Sequence, residues 1–156
     1  MQAESTYGTY ALILRVQHSL AISVGALGNL EVRPGNYIYV GSAFGSGGLR
    51  GRLTHHLSSS TKPHWHIDYL RQQGNLSAIW YTYDPVRREH LWVKVLEAIP
   101  EISVPFSGFG ASDCQCNAHL FFTPTKPSLK DFYERLLVRH PDHEVILHSY
   151  PDASLI

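Results

Sequence analysis

Apolar positions divide the chain into short extended runs, followed by segments of helical period. Gly8–Val16 (GTYALILRV) is nearly continuous aliphatic sequence between a glycine and the polar pair His18-Ser19, which predicts a buried strand. Leu20–Val24 alternates weakly and stops at Gly25, and Asn29–Val32 runs into the turn signal Pro34-Gly35-Asn36. Tyr37–Val40 alternates tyrosine with β-branched residues, as a further strand does. Strands this closely spaced are expected to pair as antiparallel hairpins.

From Leu49 the period changes. Leu49, Leu53 and the His56-Leu57 pair recur at helical spacing until Ser58–Pro63 breaks the pattern. A second helix is expected from near His64 to Gln73, closed by Gly74. Leu76–Tyr83 is a third main strand, stopped by Asp84-Pro85. Val86–Ile99 is a helix with Leu91, Val95 and Leu96 on one face and Pro100 beyond it. Pro105–Asn117 has no regular period and is expected to be a loop. His119–Thr123 is a short strand, and Leu129–Arg139 an amphipathic helix behind the N-cap candidate Ser128. The last dozen residues carry no clear pattern. The reading is an α+β fold: a small antiparallel central sheet, three main strands plus an extra hairpin, flanked by helices. Residues 1–156 are expected to form a single domain, with a core at 8–99 and a C-terminal extension at 100–156 packed on it.

Composition adds little until it is localised. A 44% hydrophobic, 17% charged chain of 156 residues is ordinary for a globular protein, and thirteen basic residues balance thirteen acidic ones. Yet residues 45–73 hold Arg50, Arg52, Lys62 and Arg71 against Asp68 alone, with four histidines besides. A basic face on a neutral molecule would bind phosphate with strong salt dependence. Met1–Ser5 has neither a basic nor an apolar leader region, and the longest apolar run, Tyr10–Leu14, is far too short to span a membrane. The expectation is a cytoplasmic protein with no membrane partner. Cys114 and Cys116, one residue apart, are poorly spaced for a disulfide.

Three constellations carry candidate chemistry. The Tyr37–Val40 strand enters a loop with Gly41, Gly45, Gly47 and Gly48, then a helix with Arg50, Arg52, His55 and His56. That order offers positive charge and exposed amides to a phosphate. Arg52 and His56 are four apart and share a helix face, where a guanidinium can hold a phosphate bidentately and an imidazole can share a proton. Tyr10 and Tyr39, each beside a glycine near a strand end, reach one side of the sheet if their strands pair; alternatively they are core aromatics with wet hydroxyls. Glu89 is a carboxylate that could hold a divalent metal, with Glu97 and Glu101 competing for the role.

The ordered set Gly8-Thr9-Tyr10, Tyr39-Val40-Gly41, Arg52, His56 and Glu89 resembles the GIY-YIG nuclease superfamily over residues 8–99. Thr9 and Val40 replace the two motif isoleucines at expected packing positions, and the loop between Gly41 and Arg52 is longer than in the commoner branches. The resemblance implies a small antiparallel sheet flanked by helices and a metal-dependent endonuclease hydrolysing phosphodiesters in nucleic acid, DNA above all, in repair or processing. It implies catalytic roles for Tyr10, Tyr39, Arg52, His56 and Glu89. Glu89 would bind Mg²⁺ or Mn²⁺, Tyr39 would take the proton from water with help from Tyr10 or His56, and Arg52 would stabilise the phosphate. A phenol of ordinary pKa, about 10, is a poor base at neutral pH and needs that help. The substrate-binding set is Gly41, Ser42, Arg50, His55 and His66.

Gly41-Ser42-Ala43, His64–Tyr69 (HWHIDY), Gly108–Cys116 (GFGASDCQC) and His119-Leu120-Phe121 also resemble an uncharacterised prokaryotic branch of that superfamily. These segments raise a second metal question. Cys114, Cys116 and His119 carry zinc-type donors, but the one-residue cysteine spacing favours reduced cysteines packing the loop. Two rivals to the nuclease reading remain. One is a non-catalytic nucleic-acid-binding module using the same basic helix and aromatic faces; the other is a zinc-stabilised interaction domain.

Overall fold

A computed structural model describes residues 3–58, 63, 65–110 and 118–151. Strand β1 (Gly8–Val16) is the centre of the molecule, and its sequence shows why. Seven successive residues from Gly8 to Leu14 are buried, because both faces of the sheet are covered and alternate side chains feed different layers. Tyr10, Leu12 and Leu14 point to one side; Ala11 and Ile13 point to the other.

The chain leaves β1 through the hairpin β2 (Leu20–Val24) and β3 (Gly28–Val32), which forms a two-stranded sheet of its own around a single 3-10 turn at Gly25–Leu27. It returns as β4 (Gly35–Ala43), antiparallel to β1 with Gly8 opposite Ala43 and Val16 opposite Gly35. β5 (Asn75–Thr82) pairs with the other side of β1, with a bulge between Ile13 and Leu14 where the Ser77 hydroxyl donates to the Ile13 carbonyl. Two edge strands complete the sheet: β6 (Leu120–Thr123) on β4 and β7 (Leu147–Ser149) on β5. The order is β6-β4-β1-β5-β7, antiparallel throughout. The α+β architecture of an antiparallel sheet plus a hairpin between helices is thus as expected, with two more strands in the main sheet.

One face carries α1 (Gly48–Leu57), α2 (His66–Arg71) and the hairpin. Leu49, Leu53 and Leu57 of α1 and Ile67 and Leu70 of α2 pack on Tyr10, Leu12, Tyr37, Tyr39 and Ile79. The other face carries α3 (Glu89–Glu97) and α4 (Leu129–Arg139), whose Trp92, Val93, Leu96, Phe132 and Leu136 cover Ala11, Ile13, Ile38, Val40 and Trp80. Each large aliphatic side chain so buried contributes about 1.5–3 kcal/mol. Ser128 caps α4 by accepting the Asp131 amide.

Three elements differ by two residues or more at their ends from the pattern-based expectation. β4 continues through Gly41 and Ser42, so both are strand residues rather than loop. α2 begins at His66; the Asp68 carboxylate accepts the Trp65 amide at 2.9 Å, while His64 lies outside the described residues. α3 begins at Glu89, not Val86. The buried Asp84 and Arg88 side chains pair at 2.9 Å and Asp84 accepts the Val86 amide, winding residues 84–88 into a turn that delays the helix. No helix among the described residues is long and apolar enough to cross a membrane.

Candidate functional site

The C-terminal end of β4, the Arg52 face of α1, the start of α3 and the segment around Gly110 and His119 enclose a cleft of about 740 Å³. Its walls include Tyr39, Gly41, Ser42, Arg52, His66 and Glu89, six of the residues singled out from sequence. Tyr10 and His56 lie beneath it, each only 1% exposed.

The strand register builds this floor. Gly41 stands opposite Tyr10 and Leu12 opposite Tyr39, so the two tyrosines are diagonal neighbours on one face. A Cβ on Gly41 would collide with the phenol of Tyr10, and one on Gly8 with the Thr82 carbonyl and Leu49. The glycines are therefore what lets the Tyr10 ring and α1 approach the sheet. Tyr10 Oη meets His56 Nε2 at 2.7 Å, and Arg52 also lies within hydrogen-bonding and charge reach of the Tyr10 phenol.

Burial dominates the protonation states here. It raises the pKa of Tyr10 well above that of a free phenol, with Tyr39 adding to the rise and Arg52 opposing it. Tyr39 is also raised, by burial first and then by the charge of Glu89, with Arg52 again opposing. Burial lowers His56 to about 3 against a partial counter-effect from Asp68, so its ring is neutral at pH 7. His56 Nδ1 is buried without a hydrogen-bond partner, a state that costs about 1–3 kcal/mol.

Glu89 opens the cleft's other wall. Burial raises its pKa, but the hydrogen bond and charge of His119, the Ser42 hydrogen bond and His90 outweigh that, leaving a net lowering. His119 Nδ1 lies 2.8 Å from Glu89 Oε1. His119 is itself fixed by backbone: its amide donates to the Phe109 carbonyl and its carbonyl accepts the Val40 amide. An ionised, 22% exposed carboxylate in a water-accessible cleft suits a hard divalent cation that keeps most of its water. Glu89 is the carboxylate of the three candidates that lines the cleft; Glu97 and Glu101 do not.

Several side chains do not gather here. Arg50 points to the N-terminal segment, its Nε donating to the Ala3 carbonyl at 2.8 Å. The amides expected to face a phosphate at the start of α1 are taken: Leu49 donates to Thr6 and Arg50 to Glu4. His55 turns to Asp68, at 3.1 and 3.2 Å, and opens on a smaller pocket. Cys114 and Cys116 lie outside the described residues, and His119 serves as Glu89's partner.

Arg87, Phe44 and His90 also line the cleft and carry no signal in the pattern. Arg52 lies over the Trp65 ring at 4.4 Å, and Arg87 over Phe44 at 4.5 Å. His90 and His119 complete the wall, and His66 Nδ1 accepts the Gly110 amide at 2.8 Å. Thr9, expected to be a packing substitution, is fully buried, and its hydroxyl oxygen accepts the backbone N–H of Arg88. That bond ties the first motif to the residue immediately before Glu89.

No curated protein and no solved structure was found to match the chain. A family model described as a domain of unknown function, DUF123, matches residues 9–140. The chain belongs to the DUF123 family.

Proposed function

We propose that the protein is a metal-dependent endonuclease of the GIY-YIG type acting on nucleic acid, DNA above all. The observation that carries this reading is the shared cleft, in which the Arg52 guanidinium, the Tyr39 phenol and the Glu89 carboxylate line one concave surface. A cation, a proton-transfer group and a metal-binding anion are the three functions that phosphodiester hydrolysis requires.

Arg52 binds the scissile phosphate and opposes the charge that builds on it. Its stacking on Trp65 holds the guanidinium plane in place while its N–H groups face the ligand. Arg87, stacked on Phe44, provides a second positive contact for the strand. Tyr39 accepts the proton of the attacking water once its own hydroxyl proton has left to solvent through the cleft, and Tyr10, hydrogen-bonded to neutral His56, fixes the floor on which Arg52 and Tyr39 are set. Glu89, oriented by His119 and Ser42, would hold Mg²⁺ or Mn²⁺. Such an ion supplies Lewis-acid stabilisation of phosphate and leaving-group charge, and it offsets the Glu89 charge that raises the Tyr39 pKa. The remaining residues need only orient these groups.

Incubating end-labelled duplex and branched DNA with the protein, in Mg²⁺ and then in chelator, tests the reading. Cleavage that requires the ion supports it. Binding without cleavage under both conditions supports the non-catalytic module instead.

A further inference from the structure

Behind the cleft, α1 and α2 bring His55, His56 and Asp68 together. One nitrogen from each imidazole and one carboxylate oxygen all lie within 4.8 Å of one another. His56 Nε2 is occupied by Tyr10, so the nitrogen left for a ligand is Nδ1. Among the described residues, that Nδ1 is the buried side-chain nitrogen or oxygen without a hydrogen-bond partner.

The ring geometry fits a shared ion. The His55 and His56 centroids are 5.5 Å apart with planes at 79°. Two imidazoles on one tetrahedral ion, with metal–nitrogen bonds of about 2.0–2.1 Å, have centroids roughly 5–5.5 Å apart. Asp68 is already oriented, since one of its oxygens accepts the Trp65 amide. His55, 29% exposed, faces a pocket of about 290 Å³ that gives an ion a way in.

We propose that His55, His56 and Asp68 form a site for a divalent transition-metal ion of the zinc class, separate from Glu89. Two nitrogen donors and one carboxylate select such an ion over magnesium or calcium, which take oxygen ligands. Arg52 and Arg71 act on His56 with positive charge, so an ion held here depends on nitrogen lone pairs rather than on bulk charge. Coordination at Nδ1 leaves the proton on Nε2, which then donates to the Tyr10 oxygen, the outer contact that orients a metal-bound histidine. The bound ion ties α1 to α2 behind Arg52 and Trp65 and acts as a structural clamp. The site does not depend on the nuclease reading.

Full-length protein stripped with chelator is titrated with Co²⁺, followed by visible absorption, and then challenged with Zn²⁺. Expected are one equivalent of Co²⁺ with tetrahedral d–d bands and no thiolate charge-transfer band, bleaching by Zn²⁺, and a thermal midpoint raised by Zn²⁺. His55→Ala and Asp68→Asn should each weaken Co²⁺ binding at least tenfold, while a Cys114→Ser, Cys116→Ser double variant should leave it unchanged. His55 is partly exposed, so its variant carries the test if Asp68→Asn fails to fold. Absence of tetrahedral bands, a thiolate band lost in the cysteine variant, or bands that survive His55→Ala would overturn the site.

Discussion

Glu89 Oε1 and His119 Nδ1 stand 2.8 Å apart, joining the first turn of α3 to the residue just before β6. The two are thirty positions apart, and no local pattern links them. Because His119 is held by backbone on both sides, it fixes the rotamer of Glu89 as well as its charge. His119→Ala is expected to weaken metal binding at Glu89 by about 10–100-fold. Since His119 helps hold the Glu89 pKa down, the acid limb of the cleavage profile should also move to higher pH. Metal titrations that coincide for both proteins would show that His119 does not orient the carboxylate.

Gly41 leaves room for the Tyr10 phenol across the strand pair. Gly41→Ala is expected to destabilise the protein by about 1–3 kcal/mol, the usual cost of overpacking a closed core. It should also disturb the Tyr10–His56 contact. Unfolding in urea measures the first effect, and an unchanged midpoint would mean that Tyr10 can move aside at little cost.

How far these relations were legible in the residues depended on whether their signal was local. β1, β2 and α4 matched their expected bounds because an apolar run or period, ended by polar or capping residues, specifies each. β7 was not legible: its three residues, Leu147, His148 and Ser149, pair with β5 through tertiary contact alone. Tyr39, Arg52 and Glu89 were singled out by the motif resemblance, since periodicity alone left Glu89 level with Glu97 and Glu101, and they share the cleft. Arg87, Phe44 and His90 have no period of their own and reach it only through the fold. Arg50 misled because a helix arginine near a glycine loop looks available until the N-terminal segment folds over it.

Thr9 is a near-isostere of valine, which makes its hydroxyl testable. Thr9→Val removes the acceptor for the Arg88 amide and leaves that N–H buried. The expected cost is about 1–3 kcal/mol, measured by denaturant unfolding. Looser placement of Glu89 should also lower cleavage. Wild-type stability and activity in Thr9→Val would reduce Thr9 to a packing residue.

His56 makes stability depend on pH. Its pKa is about 3 in the folded protein against an ordinary 6.5, so between these values the unfolded chain binds more protons. Stability contributed by the neutral ring is therefore present above 6.5 and falls as pH falls toward 3, with a slope of up to about 1.4 kcal/mol per pH unit. In His56→Gln the profile over this window should flatten, narrowing the gap from wild type as the solution is acidified. Parallel profiles from urea melts would show that His56 does not titrate on unfolding.

The most direct measurement is the nicking of supercoiled plasmid DNA in Mg²⁺ by the wild-type protein beside Glu89→Gln, which keeps the side chain's size and removes its charge. The account predicts cleavage by the wild type, loss of at least about 100-fold in the variant, and similar DNA binding by both. Equal cleavage by the two, or none by the wild type while it binds DNA, would contradict a nuclease centred on Glu89.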